Sequence, residues 1–169
     1  MKNDLQLRMY QLASSEVSHI PGWPETVLGY KLVVYKPTIF SFPKHGTSYI
    51  KNLFNIISSR GQFTMLLLYD GNVLVHYVGI IRKTFRFPYM KKNDLLHQQA
   101  FTNPDYRGKG ILTEILKLIP SVYKNEFDIL WSYCDLENYP SHKALERTGY
   151  KFIGFGRMNW NTRIIKMVN

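Results

Sequence analysis

Thr102-Asn103-Pro104-Asp105-Tyr106-Arg107-Gly108-Lys109-Gly110-Ile111-Leu112-Thr113 (TNPDYRGKGILT) is the stretch on which the fold of this chain turns. It follows Leu95 to Thr102, which reads as a strand. It opens Gly110 to Val122, in which Ile111, Leu112, Ile115, Leu116 and Ile119 fall on one helical face. Pro120 predicts that this helix ends or bends there. The glycines allow close backbone approach and dihedrals closed to other residues. The first N–H groups of a helix lack internal acceptors and lie at its positive end. Strand, glycine loop and helix start together make an anion site suited to a pyrophosphate, and Arg107 and Lys109 add positive charge. The loop is not a phosphate-binding Gly-Lys-Ser/Thr loop, and it lacks the third glycine of the dinucleotide fingerprint. A solvated Gly-rich turn is the plainer alternative; the order of the flanking elements favours the anion site.

Downstream, Phe127 to Cys134 reads as a buried strand. Pro140 to Thr148 reads as a short helix with Gly149 just past its end, and Tyr150 to Gly156 and Arg163 to Val168 as two last strands. Upstream, Gln62 to Tyr69 and Val73 to Arg82 are β-rich runs joined at Asp70-Gly71-Asn72, a hairpin signal. Thr47 to Ser59 carries Ile50, Leu53, Phe54 and Ile57 at helical spacing, with Thr47 or Ser48 as the cap. Before it, Pro21, Pro24, Pro37 and Pro43 leave an irregular stretch, and Leu5 to Leu12 is a first strand. Strands and helices in this order predict one α/β (α+β) domain over residues 1–169, with a mixed central sheet of about six to seven strands flanked by helices.

With 169 residues, one domain is the default, and 45% hydrophobic and 15% aromatic residues argue for a packed core over disorder. A formal net charge of +10 attracts anions without choosing among nucleic acid, membrane surface and phosphate-bearing cofactors. The single cysteine, Cys134, excludes an internal disulfide and is consistent with a reducing compartment. Neither a signal-peptide core nor a run of roughly 20 apolar residues is present, so a cytoplasmic location is expected.

Asn103 to Ile111 resembles the signature Arg/Gln-x-x-Gly-x-Gly/Ala of the GNAT superfamily of acyl-CoA N-acyltransferases, with Arg107 and Gly110 in the first and fourth positions. Phe127 to Cys134 looks like the family's fifth strand. Asn138 sits where the family places an Asn beside the cofactor, and Gly149-Tyr150 resembles the Gly-Phe that ends the next helix. The resemblance is firm over about Leu95 to Arg157 and only topological before that. It implies coenzyme A in a V-shaped gap where the fourth and fifth strands splay. The pantetheine would lie along Ala100, Phe101 and Thr102, and the pyrophosphate on the amides of Arg107, Gly108, Lys109, Gly110, Ile111, Leu112 and Thr113. Asn138 would touch the pantetheine from the other side. Acetyl-CoA or another acyl-CoA is then the co-substrate, an amine the acceptor, and no metal is expected. Two positions depart from the pattern. Leu112 fills the sixth signature position in place of Gly or Ala. Leu145 stands seven residues after Asn138, where relatives often carry a Tyr that protonates the departing thiolate.

Acyl transfer to an amine needs a proton acceptor, a donor for the carbonyl oxygen and a route for the leaving thiolate. His97 leads as the base, with His76 second, since histidine titrates near neutral pH; a hydrogen-bonded strand histidine is the structural alternative for each. Tyr139, next to Asn138, is the substitute acid or a packing aromatic. Cys134, with no evident Cys-His arrangement, reads as a structural thiol. Ile81 to Asp94 (IRKTFRFPYMKKND) interleaves cations with aromatics. It suits a nucleotide or nucleic-acid strand, or is a connector whose rings pack inward.

Three functions compete. The first is a small-molecule N-acyltransferase, with a nucleotide-linked amino sugar as the preferred acceptor because its phosphates match the charge. The second is an enzyme acylating a macromolecule, a protein amine or an aminoacyl-tRNA. The third is a CoA-binding module of weak catalysis. Nucleic acid is the less favoured partner, and a homodimer stays open.

Overall fold

The computed structural model describes residues 4–43 and 48–168; Thr47, one of the two cap candidates, lies outside them. In chain order the elements are β1 (Leu5–Ala13), β2 (Thr26–Val27), β3 (Tyr30–Tyr35), α1 (Tyr49–Ser58), β4 (Phe63–Asp70), β5 (Val73–Arg82), β6 (Leu95–Thr102), α2 (Ile111–Tyr123), β7 (Ile129–Asp135), α3 (Tyr139–Arg147), β8 (Lys151–Met158) and β9 (Ile165–Val168). All the strands share one sheet in the order β2-β3-β4-β5-β6-β7-β1-β8-β9. Every pairing is antiparallel except that of β6 with β7. This is a mixed α+β domain.

Nine strands replace the expected six to seven. The added pair is β2–β3, inside the segment expected to be irregular. Its prolines bracket the hairpin: Pro24 precedes β2 and Pro37 follows β3, while Lys31-Leu32-Val33-Val34-Tyr35 pairs with β4 as a β-branched run should. The Gly71-Asn72 turn joins β4 to β5 as expected, with Asp70 opposite Val73 and Gly71 at φ 55°.

Both faces of the sheet are covered. On one, α2 and α3 seal a core in which Ile115, Ile119 and Leu145 meet Leu66, Val78, Leu95 and Leu130. On the other, α1 lays Ile56 over Phe63, Met65, Leu67 and Ile81. Beside it the connection between β5 and β6 drives Phe87 and Met90 into a cluster with Leu7, Met9, Leu96 and Trp131. The connector reading of Ile81 to Asp94 is therefore the one realised. Phe87 and Met90 are buried, Tyr89 packs against Phe87 and Trp131, and of the segment's Phe and Tyr rings only Phe85 is exposed.

Two helices differ from expectation. Half of the apolar stripe of α1 faces outward: Ile50 is 77% and Ile57 64% exposed and Leu53 and Phe54 are half-buried, while Asn52, Asn55 and Ser58 are buried. Helical spacing reveals a stripe but not which way it points. In α2, Pro120 neither ends the helix nor caps it, since three more helical residues follow it to Tyr123. Pro120 removes one backbone donor, and burial of Leu118, Ile119 and Pro120 against the sheet compensates.

Candidate functional site

The sheet divides between β6 and β7. They pair only at Leu95↔Leu130 and Leu96↔Trp131, although β6 runs on to Thr102 and β7 to Asp135. Two local features fix this geometry. Below the fork, the buried carboxylate of Asp94 accepts hydrogen bonds from the Trp131 indole (2.9 Å) and the Lys91 amide (2.8 Å), tying the start of β6 to β7. Above it, Gln99 takes φ 58° and the β5–β6 register shifts between Tyr77 and Gly79. Such a bulge bends and twists the strand. The far end of β6 stays with β5 through His76↔Thr102 and Tyr77↔Phe101, so its other edge is left without a strand partner. Gly79 is needed opposite the bulge, because a Cβ there would stand 2.7 Å from the Phe63 ring.

The splay opens into a cleft of about 740 Å³, bounded by the end of β6, the glycine loop, the start of α2 and one side of α3. The sequence-predicted residues Ala100, Phe101, Thr102, Arg107, Gly108, Gly110, Ile111, Leu112, Thr113 and Asn138 all line it. Lys109 does not; its ammonium lies 4.6 Å from the centroid of the Tyr106 ring. The loop is braced from below. Tyr106 donates its hydroxyl to Asp70 on the β4–β5 turn (3.0 Å), and the Asn103 side chain accepts from the Asp105 amide (3.2 Å). Gly110 caps α2 at φ 77° and has no side chain to offer. The first helical backbone bond runs from Glu114 N–H to Gly110 C=O, so the amides of Ile111, Leu112 and Thr113 have no intrahelical acceptor, and these three residues line the cleft. Arg107 is held across the loop by Nε donating to the Thr102 carbonyl (3.2 Å).

The opposite wall was only partly read from sequence. Asn138 is the N-cap of α3, accepting from the Ser141 amide at 3.3 Å. Beyond it the wall adds Pro140, Ser141, Ala144 and Arg147, and Tyr106 joins from the loop. Asn138, Ser141, Ala144 and Arg147 recur every third residue, and that regular spacing of two small residues and a cation was the available signal. α3 ends as predicted at Gly149 (φ 89°), with Gly149 N–H on the Glu146 carbonyl and Tyr150 N–H on that of Leu145. Leu145 itself is buried in the core and offers the cleft nothing.

At the apex, the residues just past the last β6–β7 pair are His97 and Ser132. Both are buried, and among the described residues neither the His97 ring nitrogens nor the Ser132 hydroxyl has a hydrogen-bond partner; the same holds for the Tyr150 hydroxyl. The rings of His97 and Tyr150 meet edge to face at 5.6 Å. Burial pushes His97 down to about 3, with the neighbouring His76 adding to the effect. His76 is likewise depressed by burial to about 4, and its Nδ1 lies 2.8 Å from the Thr102 hydroxyl. Both are neutral imidazoles at pH 7. Tyr139 is 65% exposed on the first turn of α3, outside the lining. Cys134 does have a histidine nearby: its Sγ lies 3.7 Å from His142 Nδ1. That ring is also engaged by Tyr10 (2.9 Å) and by the Asp135 and Leu136 carbonyls, and burial holds the thiol at about 12. Among the described residues no three or more His, Cys, Asp or Glu side chains gather as for a metal ion, and no helix is long and apolar enough to cross a membrane.

No protein-family model and no curated protein sequence matches the chain. Solved structures do. A GCN5-related N-acetyltransferase from Sphaerobacter thermophilus superposes with TM-score 0.57 at 11% identity, covering 91% of this chain and 50% of that one. An acetyltransferase from the GNAT family of Colwellia psychrerythraea gives 0.54 at 11%, covering 92% and 56%. The chain has the GNAT fold. A tandem GNAT protein from the clavulanic acid biosynthesis pathway gives 0.54 at 14%, covering 88% and 50%. The chain thus spans about half the length of these GNAT structures.

Proposed function

We propose that residues 1–169 form one acyl-CoA-dependent N-acyltransferase domain, which moves an acyl group, acetyl in the first instance, from coenzyme A to a primary amine. The observation that carries this is the fork between β6 and β7, with free helix-start amides on one arm and the Asn138 wall on the other. When bound, an acyl-CoA supplies a thioester carbonyl activated for attack by an amine. The residues present suit it. The amides of Ile111, Leu112 and Thr113, on a glycine cap that keeps side chains away, cradle the pyrophosphate. Arg107 and Arg147 flank the cleft with positive charge. The unpaired edge of β6 at Ala100, Phe101 and Thr102 receives the pantetheine as an added strand would be received. Leu112 leaves its amide available, because its side chain packs partly into the core. Asn138 faces the arm from α3.

The acyl end then reaches the apex. His97 is there, but a nitrogen held near 3 does not store the amine's proton at pH 7. Its neutral ring, with both nitrogens unengaged, has a hydrogen bond to offer instead, and with Ser132 and Tyr150 it orients the reacting group. His76 positions the end of β6 through Thr102. In the reaction a C–N bond forms and the C–S bond breaks; the amine loses one proton, and the thiolate takes one up. With Leu145 buried, Tyr139 is the candidate acid. The acceptor reaches the carbonyl from the other side of the sheet, where Gln98 and Tyr133 point. A small-molecule amine, such as a nucleotide-linked amino sugar, is preferred over a protein amine or aminoacyl-tRNA. The inward packing of Phe87, Tyr89 and Met90 removes most of the stacking platform a nucleic-acid strand would use. Because Leu145 replaces an acid, binding without turnover is the second reading.

Thermal unfolding with acetyl-CoA tests the first claim. A ligand at a hundred times its dissociation constant stabilises the fold by about 2.7 kcal/mol, and Arg107→Ala is expected to weaken acetyl-CoA by roughly tenfold, given a charge-assisted contact partly screened by water. No shift with any acyl-CoA refutes the reading. A shift with no free thiol released on any amine establishes the binding module.

A further inference from the structure

Helix α1 is built the wrong way round for stability alone. Of its isoleucines only Ile56 is buried, Ile50 and Ile57 face water, and Asn52 and Asn55 are turned onto the sheet. Below them lies a buried polar cluster on the face of the sheet opposite α2 and α3. Asn55 Oδ1 accepts from Gln98 Nε2 at 2.8 Å, and Gln98 Oε1 accepts from Arg86 Nη1 at 3.1 Å and from the Tyr133 hydroxyl at 3.4 Å. Arg86 is the unusual member. It is 6% exposed, always charged, and among the described residues faces no carboxylate. Its partners are neutral: Gln98, the Arg163 carbonyl at 3.1 Å, and the Met158 sulfur at 3.9 Å. A guanidinium has five N–H donors, so two are left over here, one of the three engaged is spent on a thioether, and Asn55 Nδ2 beside it is also buried without a partner. Buried charges are ordinarily paired. This cluster has donors in excess, and among the described residues its positive charge meets neutral acceptors and the Phe54 ring but no anion.

We infer that the acceptor is an amine carrying an anionic group, a carboxylate or a phosphate, and that Arg86 receives that group beneath α1. The inference rests on the acyltransferase reading and adds the substrate class. Gln98 links the two ends of the site. It follows His97 on β6, so the same strand that brings the acyl group to the fork presents, on its opposite face, the side chain bound to Arg86. The Phe54 ring covers the guanidinium, its centroid 5.6 Å from the guanidinium carbon, and packs edge to face on Phe85, 55% exposed; it is the ring an arriving anion would displace. A neutral strap would serve to tie this connection to the β8–β9 turn through the Arg163 carbonyl, so that bond alone does not account for a cation at this position.

The test compares three amines of similar length on acetyl-CoA by thiol release: propylamine, β-alanine and phosphoethanolamine. At least a tenfold preference in kcat/KM for one anionic amine over propylamine is expected, with carboxylate and phosphate separated by which is chosen. Arg86→Met should erase it. Gln98→Glu covers the case in which Arg86→Met does not fold. It sets a carboxylate against the guanidinium in the shape of the native side chain, so the midpoint of unfolding should rise while the preference disappears. Equal use of all three amines by the wild type, or a preference that survives Arg86→Met or Gln98→Glu, overturns the inference and leaves acyl transfer intact. If no thiol is released with any amine, thermal shifts by the same three compounds decide it alone. Stabilisation by an anionic amine that Arg86→Met or Gln98→Glu abolishes supports it; equal shifts, or none, overturn it.

Discussion

The two sides of the fork are made of different materials. On the α2–α3 side the cleft is built mostly from backbone: helix-start amides, a glycine cap, an unpaired strand edge and a capping Asn. On the α1 side a polar network is built from side chains, Asn55, Gln98, Arg86 and Tyr133, contributed by elements far apart in sequence. A backbone site is written in local sequence, because only glycine tolerates φ 77° and only a few residues cap a helix. A side-chain site exists only once the elements have docked. The first is suited to a ligand with a constant part, the second to one that differs from enzyme to enzyme.

Acid distinguishes the sides most sharply. His76 and His97 are buried toward α2 and α3, while the network of Asn55, Gln98, Arg86 and Tyr133 beneath α1 contains no histidine and no carboxylate. Their folded values, about 4 and about 3, lie below the unfolded value near 6.5. Both states are neutral above pH 6.5. Below it the unfolded chain binds protons that the folded chain refuses, so stability falls with pH down to about 4 for His76 and about 3 for His97. Each contributes a loss of about 1.4 kcal/mol per pH unit inside its window. Urea midpoints measured between pH 7 and 4.5 should therefore drop steeply, and His97→Leu should remove about half of the histidine part of the slope. An unchanged slope in His97→Leu would mean that the ring is solvated at the apex and free to act as a base.

The next effect tests whether the cleft is made of backbone. Gly110→Val places a β-branched residue at φ 77°, where nothing crowds a Cβ but the conformation itself is strained by about 1–3 kcal/mol. The helix start should shift to relieve it, with acetyl-CoA affinity falling by roughly ten- to a hundredfold and the unfolding midpoint falling too. Calorimetric titration against the same variant's thermal stability separates the two losses. Unchanged affinity would show that the α2 amides do not hold the cofactor.

A smaller effect separates the two jobs of Asn138. As the cap of α3 its removal in Asn138→Ala costs about 1 kcal/mol of stability. Asn138→Ser restores a capping oxygen with a shorter reach, so stability should return while acetyl-CoA affinity stays reduced by a few-fold. If affinity recovers together with stability, the residue matters only through the helix it caps.

These contrasts also explain what could be read from residues alone. The β6–α2–β7–α3 order, the hairpin at Gly71-Asn72 and ten lining residues of the cleft were legible, because each depends on turn chemistry or on the period of a short segment. The β2–β3 hairpin was hidden by prolines that flank it without entering it. Pro120 suggested a helix end, yet tertiary burial carried the helix past it. Arg147 was missed because a lone cation on a short helix has many uses. Arg86 looked like one charge among several in IRKTFRFPYMKKND, and only the folded chain shows that it is buried while Lys83, Lys91 and Lys92 are exposed. The Cys134–His142 contact joins a strand to the next helix and has no signature in spacing.

The smallest expected effect bears on α1, where the spacing of apolar residues was read correctly and its direction could not be. Ile57 is part of the stripe that signals the helix, and a helix stripe normally earns its stability by burial. Here the side chain is 64% exposed, while Asn55 and Ser58 occupy the inner face. Ile57→Lys should accordingly shift stability by no more than about 0.5 kcal/mol, as surface substitutions do. Asn55→Leu, on the inner face, strips Gln98 of an acceptor and should cost about 1–3 kcal/mol. The sign of the contrast matters more than its size. In a helix that packs through its apolar stripe, the isoleucine would be the costly position and the asparagine the neutral one. If unfolding midpoints rank the two variants that way, the α1 side is an ordinary hydrophobic contact and its polar network has no special standing. If the asparagine is the costly one, the helix is held down by the network that reaches Arg86, and the polar side of the fork has been kept at the expense of a better-packed helix.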